Sequence, residues 1–178
     1  AITYSEDAPP HPTQNARALL QELDGLDCGL IIKPGRVIVG NARILETRVL
    51  YTKEGPVNNF LVDDAGNKDL NRPSLYDSYH QIQPVVDNKR PEVQADVVGP
   101  ICETGDFLAR ERSLSRVDQG ELLAVMSAGA YGFTMSSNYN SRPRPPEVLV
   151  RGDTFEVIRS RETYEDLVRG EQLPDFFK

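Results

Sequence analysis

Tryptophan is absent from this 178-residue chain, and aromatic residues make up only 7% of it. The two cysteines, Cys28 and Cys102, are too few for a disulfide scaffold, so a reducing compartment is the default expectation. The two histidines, His11 and His80, stand far apart, and no Cys/His pair has metal-ligand spacing. No apolar run approaches the length needed to span a bilayer, and no basic, apolar leader opens the chain. The expectation is therefore a cytoplasmic protein that keeps clear of membranes. The net charge of −7 comes with acids and bases interspersed, which disfavours a nucleic-acid groove, since that would need a concentrated basic face. Neither a Walker-type phosphate loop nor a G-x-S-x-G nucleophile elbow is present.

What remains is an ordinary globular composition, 39% hydrophobic and long enough for one sizeable core. Ala1 to Pro12 are polar and Pro-rich. Thr13 is the expected cap of a helix whose apolar face is Ala16, Leu19, Leu20 and Leu23, ended by Gly25. Gly29 to Ile32 read as a short buried strand running into the turn Lys33-Pro-Gly-Arg36. Helix, strand and Gly-bearing turn are the grammar of an α/β unit that cannot bury its own faces. After Val37 the texture changes. Short strand-like runs cover 44–51, 60–62, 82–86, 93–101, 122–127, 147–150 and 155–158, which predicts a mainly β fold, a sandwich or barrel. Val150-Arg-Gly-Asp-Thr154 reads as a hairpin turn with Gly152 at positive φ. One helix is inserted near 69–80, with Asp69 as its cap, and a last short helix is expected from Thr163 to Gly170.

Four constellations carry chemical potential. Cys102 and Glu103 end an apolar run, bracketed by Gly99, Pro100 and Gly105, so a thiol and a carboxylate stand at a strand tip. A buried small hydrophobe beside a solvated carboxylate fits the same spacing. Arg72 and Tyr76 lie four apart on the inserted helix and share a face, which suits a carboxylate, or equally a guanidinium stacked on a half-buried phenol. In Lys33-Pro34-Gly35-Arg36, Gly35 allows close backbone approach and Arg36 could take an anion, although an ordinary αβ turn has the same composition. The segment from Gly129 to Arg144 is rich in hydroxyls, amides and arginines, with Gly129, Ala130 and Gly132 leaving room beside Tyr131. A structureless loop of that length in a compact domain is often functional.

Taken in order, these segments resemble the C-terminal part of the diaminopimelate decarboxylases, pyridoxal-phosphate enzymes of the alanine racemase-like fold class. The resemblance rests on Pro34-Gly-Arg-Val-Ile-Val-Gly-Asn41, Asp64-Ala-Gly66, Arg72-Pro-Ser-Leu-Tyr-Asp-Ser-Tyr-His80, Asp96 to Asp106, the Gly129–Arg144 loop and Arg161-Glu-Thr-Tyr164. It implies residues 1–36 as the tail of an incomplete (β/α)8 barrel and residues 37–178 as a C-terminal β-domain. It implies pyridoxal phosphate as cofactor and meso-diaminopimelate as substrate. Lys33, Pro34, Gly35, Arg36 and Tyr131 would face the cofactor. Arg36, Arg72, Tyr76, Glu103 and Tyr131 would bind substrate, with Glu103 on its distal ammonium. Cys102 would be the catalytic proton donor. In this family Cys and Glu act on the neighbouring subunit's site, so the resemblance implies a homodimer.

Departures accompany it. Lys33 stands where the family usually has Glu, and Asp63, Asn67 and Asn71 where apolar residues are usual. None of Lys33, Lys53, Lys68, Lys89 and Lys178 has the context of the family's cofactor-linking lysine, so the chain alone is expected to be inactive. A relative acting on ornithine or arginine is a second reading, disfavoured because those enzymes tend to pair Cys with Asp. A non-catalytic β-domain acting as an assembly module is a third.

Overall fold

The computed structural model describes Tyr4, residues 9–87 and residues 89–177. A helix α1 (Pro12–Glu22) comes first, then an extended stretch and a 3₁₀ turn at Gly40–Ala42. Eight strands follow: β1 (Leu45–Lys53), β2 (Phe60–Asp63), β3 (Ile82–Pro84), β4 (Glu92–Val98), β5 (Phe107–Ser115), β6 (Leu122–Val125), β7 (Glu147–Arg151) and β8 (Thr154–Arg159). The short helix α2 (Arg72–Tyr76) sits between β2 and β3, and α3 (Tyr164–Leu167) follows β8.

Six strands form one sheet in the order β3-β6-β1-β2-β4-β5. All its pairs are antiparallel except β2–β4, whose parallel register needs the long crossover that carries α2 and β3. The edges β3 and β5 approach one another, and Arg112 of β5 donates to the His80 carbonyl at 2.6 Å, so the sheet is nearly closed into a barrel. Its interior holds Val49, Leu61, Leu70, Ile82, Val97, Leu108, Leu114, Leu123 and Val125. β7 and β8 form a separate two-stranded hairpin whose turn has Gly152 at φ 59°, as the turn chemistry requires. Glu147 ties this hairpin back, accepting from Arg43 and, at 2.6 Å, from Arg159.

The mainly β, barrel-like class is as expected, but particular elements differ. β5 has no counterpart among the expected strands, because Arg110, Glu111 and Arg112 mask the alternation that buries Leu108 and Leu114. α1 is capped by His11 rather than Thr13, with Gln14 completing a capping box. The run Gly29–Ile32 belongs to no sheet among the described residues, and Ile31 is 93% exposed. A strand holds its shape through ladder partners, and none of the described strands lies against this one. The helix expected over 69–80 is only five residues long. Asp77 takes a left-handed conformation (φ 50°) that ends the coil. Residues 77–80 then turn back, which buries His80 completely.

Candidate active site

Three connections of the sheet carry the candidate residues. α2 presents Arg72 and Tyr76 from one face, the guanidinium carbon lying 5.9 Å from the Tyr76 ring centroid. The same carbon lies 5.9 Å from Tyr131, in the β6–β7 connection, and 5.6 Å from Tyr4. Arg36 reaches the Tyr4 ring from the chain before β1, at 4.9 Å. Two guanidiniums and three phenols thus converge, with stacking geometry available to both cations.

The charge balance of this cluster is unusual. Arg72 is only 8% exposed, yet its single side-chain hydrogen bond among the described residues goes to Ser78 Oγ at 3.0 Å, and its Nε has no partner. Neither Arg36 nor Arg72 forms an ion pair among the described residues. Buried cations are ordinarily paired, because desolvation is costly. His80 adjoins them, its Nδ1 bonded to the Met126 carbonyl at 2.9 Å and its ring edge-on to Tyr4. Burial, and then the charges of Arg72, Arg112 and Arg36, hold its pKa below the usual histidine value. The neutral ring adds no third charge. It donates through Nδ1 and leaves Nε2 as a buried acceptor without a partner among the described residues.

Tyr131 is held by its backbone. It sits at φ 60°, a left-handed conformation uncommon for a bulky residue and frequent at functional sites. A Cβ at Gly129 would collide with the Val39 carbonyl, and one at Gly132 with the Ala128 carbonyl. The glycines therefore make room for close-packed backbone, where the sequence suggested space for a ligand.

Cys102 and Glu103 lie in the β4–β5 connection, and both are exposed. Their loop is organised by Asp106, whose buried carboxylate accepts from the backbone N–H of Asn67 and of Ile101, each at 2.7 Å. Gly66 and Gly99 admit that carboxylate, since a Cβ on either would strike it. Ser74 of α2 donates to the Gly105 carbonyl at 2.7 Å, which locks the thiol loop to the helix bearing Arg72 and Tyr76. Glu103 itself accepts from the Tyr139 hydroxyl.

The structure thus gathers Arg36, Arg72, Tyr76 and Tyr131 and places Cys102 and Glu103 on an adjoining loop. Lys33, Pro34 and Gly35 lie on an exposed segment leading into Arg36, and Gly35 faces open space. Sequence reasoning did not single out Tyr4, His80, Asp106 or Tyr139. His80 closes the Arg72–His80 run and could have been found there, whereas Tyr4 arrives from far along the chain with no local signal. None of these side chains lines the cleft of about 510 Å³ between Lys68-Asp69 and Arg161–Glu165. In that cleft Lys68 pairs with Asp69, and Glu162 with Arg144.

Comparison with known proteins identifies the class to which this barrel-like sheet belongs. The family profile described as "Pyridoxal-dependent decarboxylase, C-terminal sheet domain" matches residues 3–129, and the chain belongs to that family. Within it, the chain is 51% identical over 163 residues to a diaminopimelate decarboxylase of Aquifex aeolicus, covering 92% of this chain and 39% of that protein. It is 48% identical to the enzyme of that name from Archaeoglobus fulgidus, over 98% of this chain and 43% of the relative. The solved diaminopimelate decarboxylase of Helicobacter pylori, complexed with L-lysine, superposes with a TM-score of 0.86 at 38% identity, over 94% of this chain and 41% of that one. The chain spans about two fifths of the length of the curated relatives it matches.

Proposed function

We propose that residues 37–178 are the C-terminal β-domain of a diaminopimelate decarboxylase and residues 1–36 the end of its cofactor-binding barrel. The observation that carries this reading is the pair of guanidiniums, Arg36 and Arg72, that stack on phenols and form no ion pair among the described residues. Such a site is built for an anion, and phosphate and carboxylate are the anions guanidinium forks fit. The residues present therefore suit pyridoxal phosphate and an amino-acid substrate.

Pyridoxal phosphate, when bound, supplies an electron sink for the bond to the departing carboxylate. Arg36 takes the phosphate or a substrate carboxylate, with Lys33 to Gly35 alongside. Arg72 and Tyr76 hold a carboxylate, the Ser78 hydroxyl steadying the guanidinium. Tyr131 contacts both cofactor and substrate. The Cys102 thiol delivers a proton to the carbon that has lost CO₂, which gives L-lysine from meso-diaminopimelate. Glu103 receives the substrate's distal ammonium. The exposure of Cys102 and Glu103 supports their acting on the site of a second copy, in a cytoplasmic homodimer.

A chimera tests this reading. Residues 37–178 replace the corresponding C-terminal segment of the Aquifex aeolicus relative, and CO₂ release is followed with pyridoxal phosphate present. The chimera is expected to turn over meso-diaminopimelate in preference to ornithine or arginine, while the 178-residue chain alone shows no turnover. A folded, cofactor-loaded chimera without lysine formation would defeat the reading, as would turnover by the isolated chain.

A further inference from the structure

Granting Glu103 the role given above, on which this inference rests, we propose that Tyr139 is a positioning residue that orients the Glu103 carboxylate for a substrate bearing a distal cationic amine.

Glu103 stands on an exposed loop and makes no ion pair among the described residues. A free glutamate there would sample many rotamers, and ordering it on binding would cost affinity. Two contacts restrict it. The Tyr139 hydroxyl donates to Oε2, while Oε1 lies 2.7 Å from the position a Cβ on Gly105 would occupy. The loop backbone therefore walls one side and the phenol holds the other. Oε1 remains as the oxygen able to accept from an ammonium. The hydrogen bond to Glu103, and then that carboxylate's charge, raise the Tyr139 pKa, which keeps the phenol protonated as the donor.

Tyr139 can act this way because its own turn is fixed. Asn138 Nδ2 donates to the Arg142 carbonyl at 3.2 Å and to Glu162 Oε2 at 2.6 Å. The same Glu162 accepts from the backbone N–H of Arg144 at 2.8 Å and from its Nε at 2.7 Å. Asn140 and Ser141 both take left-handed conformations, at φ 56° and φ 52°, which closes the turn tightly. Non-glycine residues hold such conformations only where surrounding bonds dictate them. The phenol is thus presented from a braced turn on a different connection from the carboxylate it holds.

The test uses the chimeric holoenzyme described above, with Tyr139→Phe, Glu103→Gln and the double variant. Near-UV circular dichroism checks the fold, and kcat and KM are measured for meso-diaminopimelate. Tyr139→Phe is expected to raise KM about fivefold, with kcat within about twofold of the parent, as for loss of a binding contact. In the Glu103→Gln background the same change should have no further effect, because the group it orients is gone. Asn138→Ala, which loosens the turn without touching the phenol, should reproduce part of the KM rise, and it decides the matter if Tyr139→Phe misfolds. Should Glu103→Gln raise KM while Tyr139→Phe leaves it unchanged, or should the two effects simply add, the positioning role of Tyr139 is wrong and the role of Glu103 stands. Should Glu103→Gln leave KM unchanged, the ammonium-binding role fails first and this inference with it.

Discussion

Asp63 shows how strand alternation can overrule side-chain chemistry. β2 buries Leu61 and Asp63 on the same face, and the bulge in β1 sets Asp63 opposite the buried Val49. Among the described residues its carboxyl oxygens have no hydrogen bond of ordinary geometry: the nearby Thr47 hydroxyl, which only weakly offsets the burial of Asp63, donates to Asp64 Oδ1 at 2.8 Å, as does the Arg48 N–H. Burial first, and the Asp64 charge second, push the Asp63 pKa from 3.8 up to about 8. The folded chain therefore keeps Asp63 protonated where the unfolded chain ionises it. No stability is lost to this group below the unfolded pKa. Between pH 4 and 8 stability falls as pH rises, by up to about 1.4 kcal/mol per pH unit, and levels off above that window. Urea-unfolding midpoints measured across this window should show the slope, and Asp63→Asn should flatten it. Arg72 is the matching case of charge. Its place on a shared face with Tyr76 was legible from the i, i+4 spacing, but its burial without a carboxylate partner among the described residues was not. Counter-ions come from other segments, and spacing along one segment does not report them.

At the scale of elements, the β4–β5 connection shows how one side chain organises a reactive loop. Asp106 replaces two backbone partners that the sheet cannot supply, one on the Gly66–Lys68 turn and one at Ile101. Asp106→Ala should destabilise the chain by about 2–4 kcal/mol in urea unfolding, since it takes a charged acceptor from two part-buried amides. Limited proteolysis should then cut first between Gly99 and Asp106. A variant as stable as the parent and equally resistant there would show that the loop holds itself. The sequence marked this stretch through its glycines and its Cys-Glu pair. It did not assign Asp106, because the carboxylate's partners become neighbours only after β4 and β5 pair. β5 was missed for a related reason: its charged centre looks like a loop until its ends are seen to face the core. α2 was read too long because the helical spacing continues past Tyr76, and only the burial of His80 explains why Asp77 reverses the chain.

Among the described residues, apolar surface is left bare on several elements, two of them before and after the barrel-like sheet. α1 buries none of its residues, and Leu30, Ile31 and Ile32 lie open. The β7–β8 hairpin exposes Val150, Phe155 and Val157. Apolar exposure of this extent marks surfaces that associate, and the chain spans about two fifths of the length of its relatives. The proposed dimer makes a sharper demand at this scale, because Cys102 and Arg72 would serve one site from different copies. Chimeras carrying Cys102→Ala and Arg72→Ala should each be inactive, yet together regain about a quarter of parent activity, since half the dimers are mixed and each mixed dimer has one intact site. Activity that stays absent after verified subunit exchange would place both groups in one copy.

By itself the sequence determined the alternation that makes the strands, the turn at Gly152, the common face of Arg72 and Tyr76, and the ordered motifs that tie the chain to its family. These depend on residues close together in the chain, where backbone geometry and side-chain period leave few choices. Tertiary structure alone decided that Tyr4, Arg36, Arg72 and Tyr131 meet, that His80 lies neutral beside them, and that Tyr139 holds Glu103. Each of those contacts joins segments far apart in the chain, and no local pattern encodes which distant segments become neighbours.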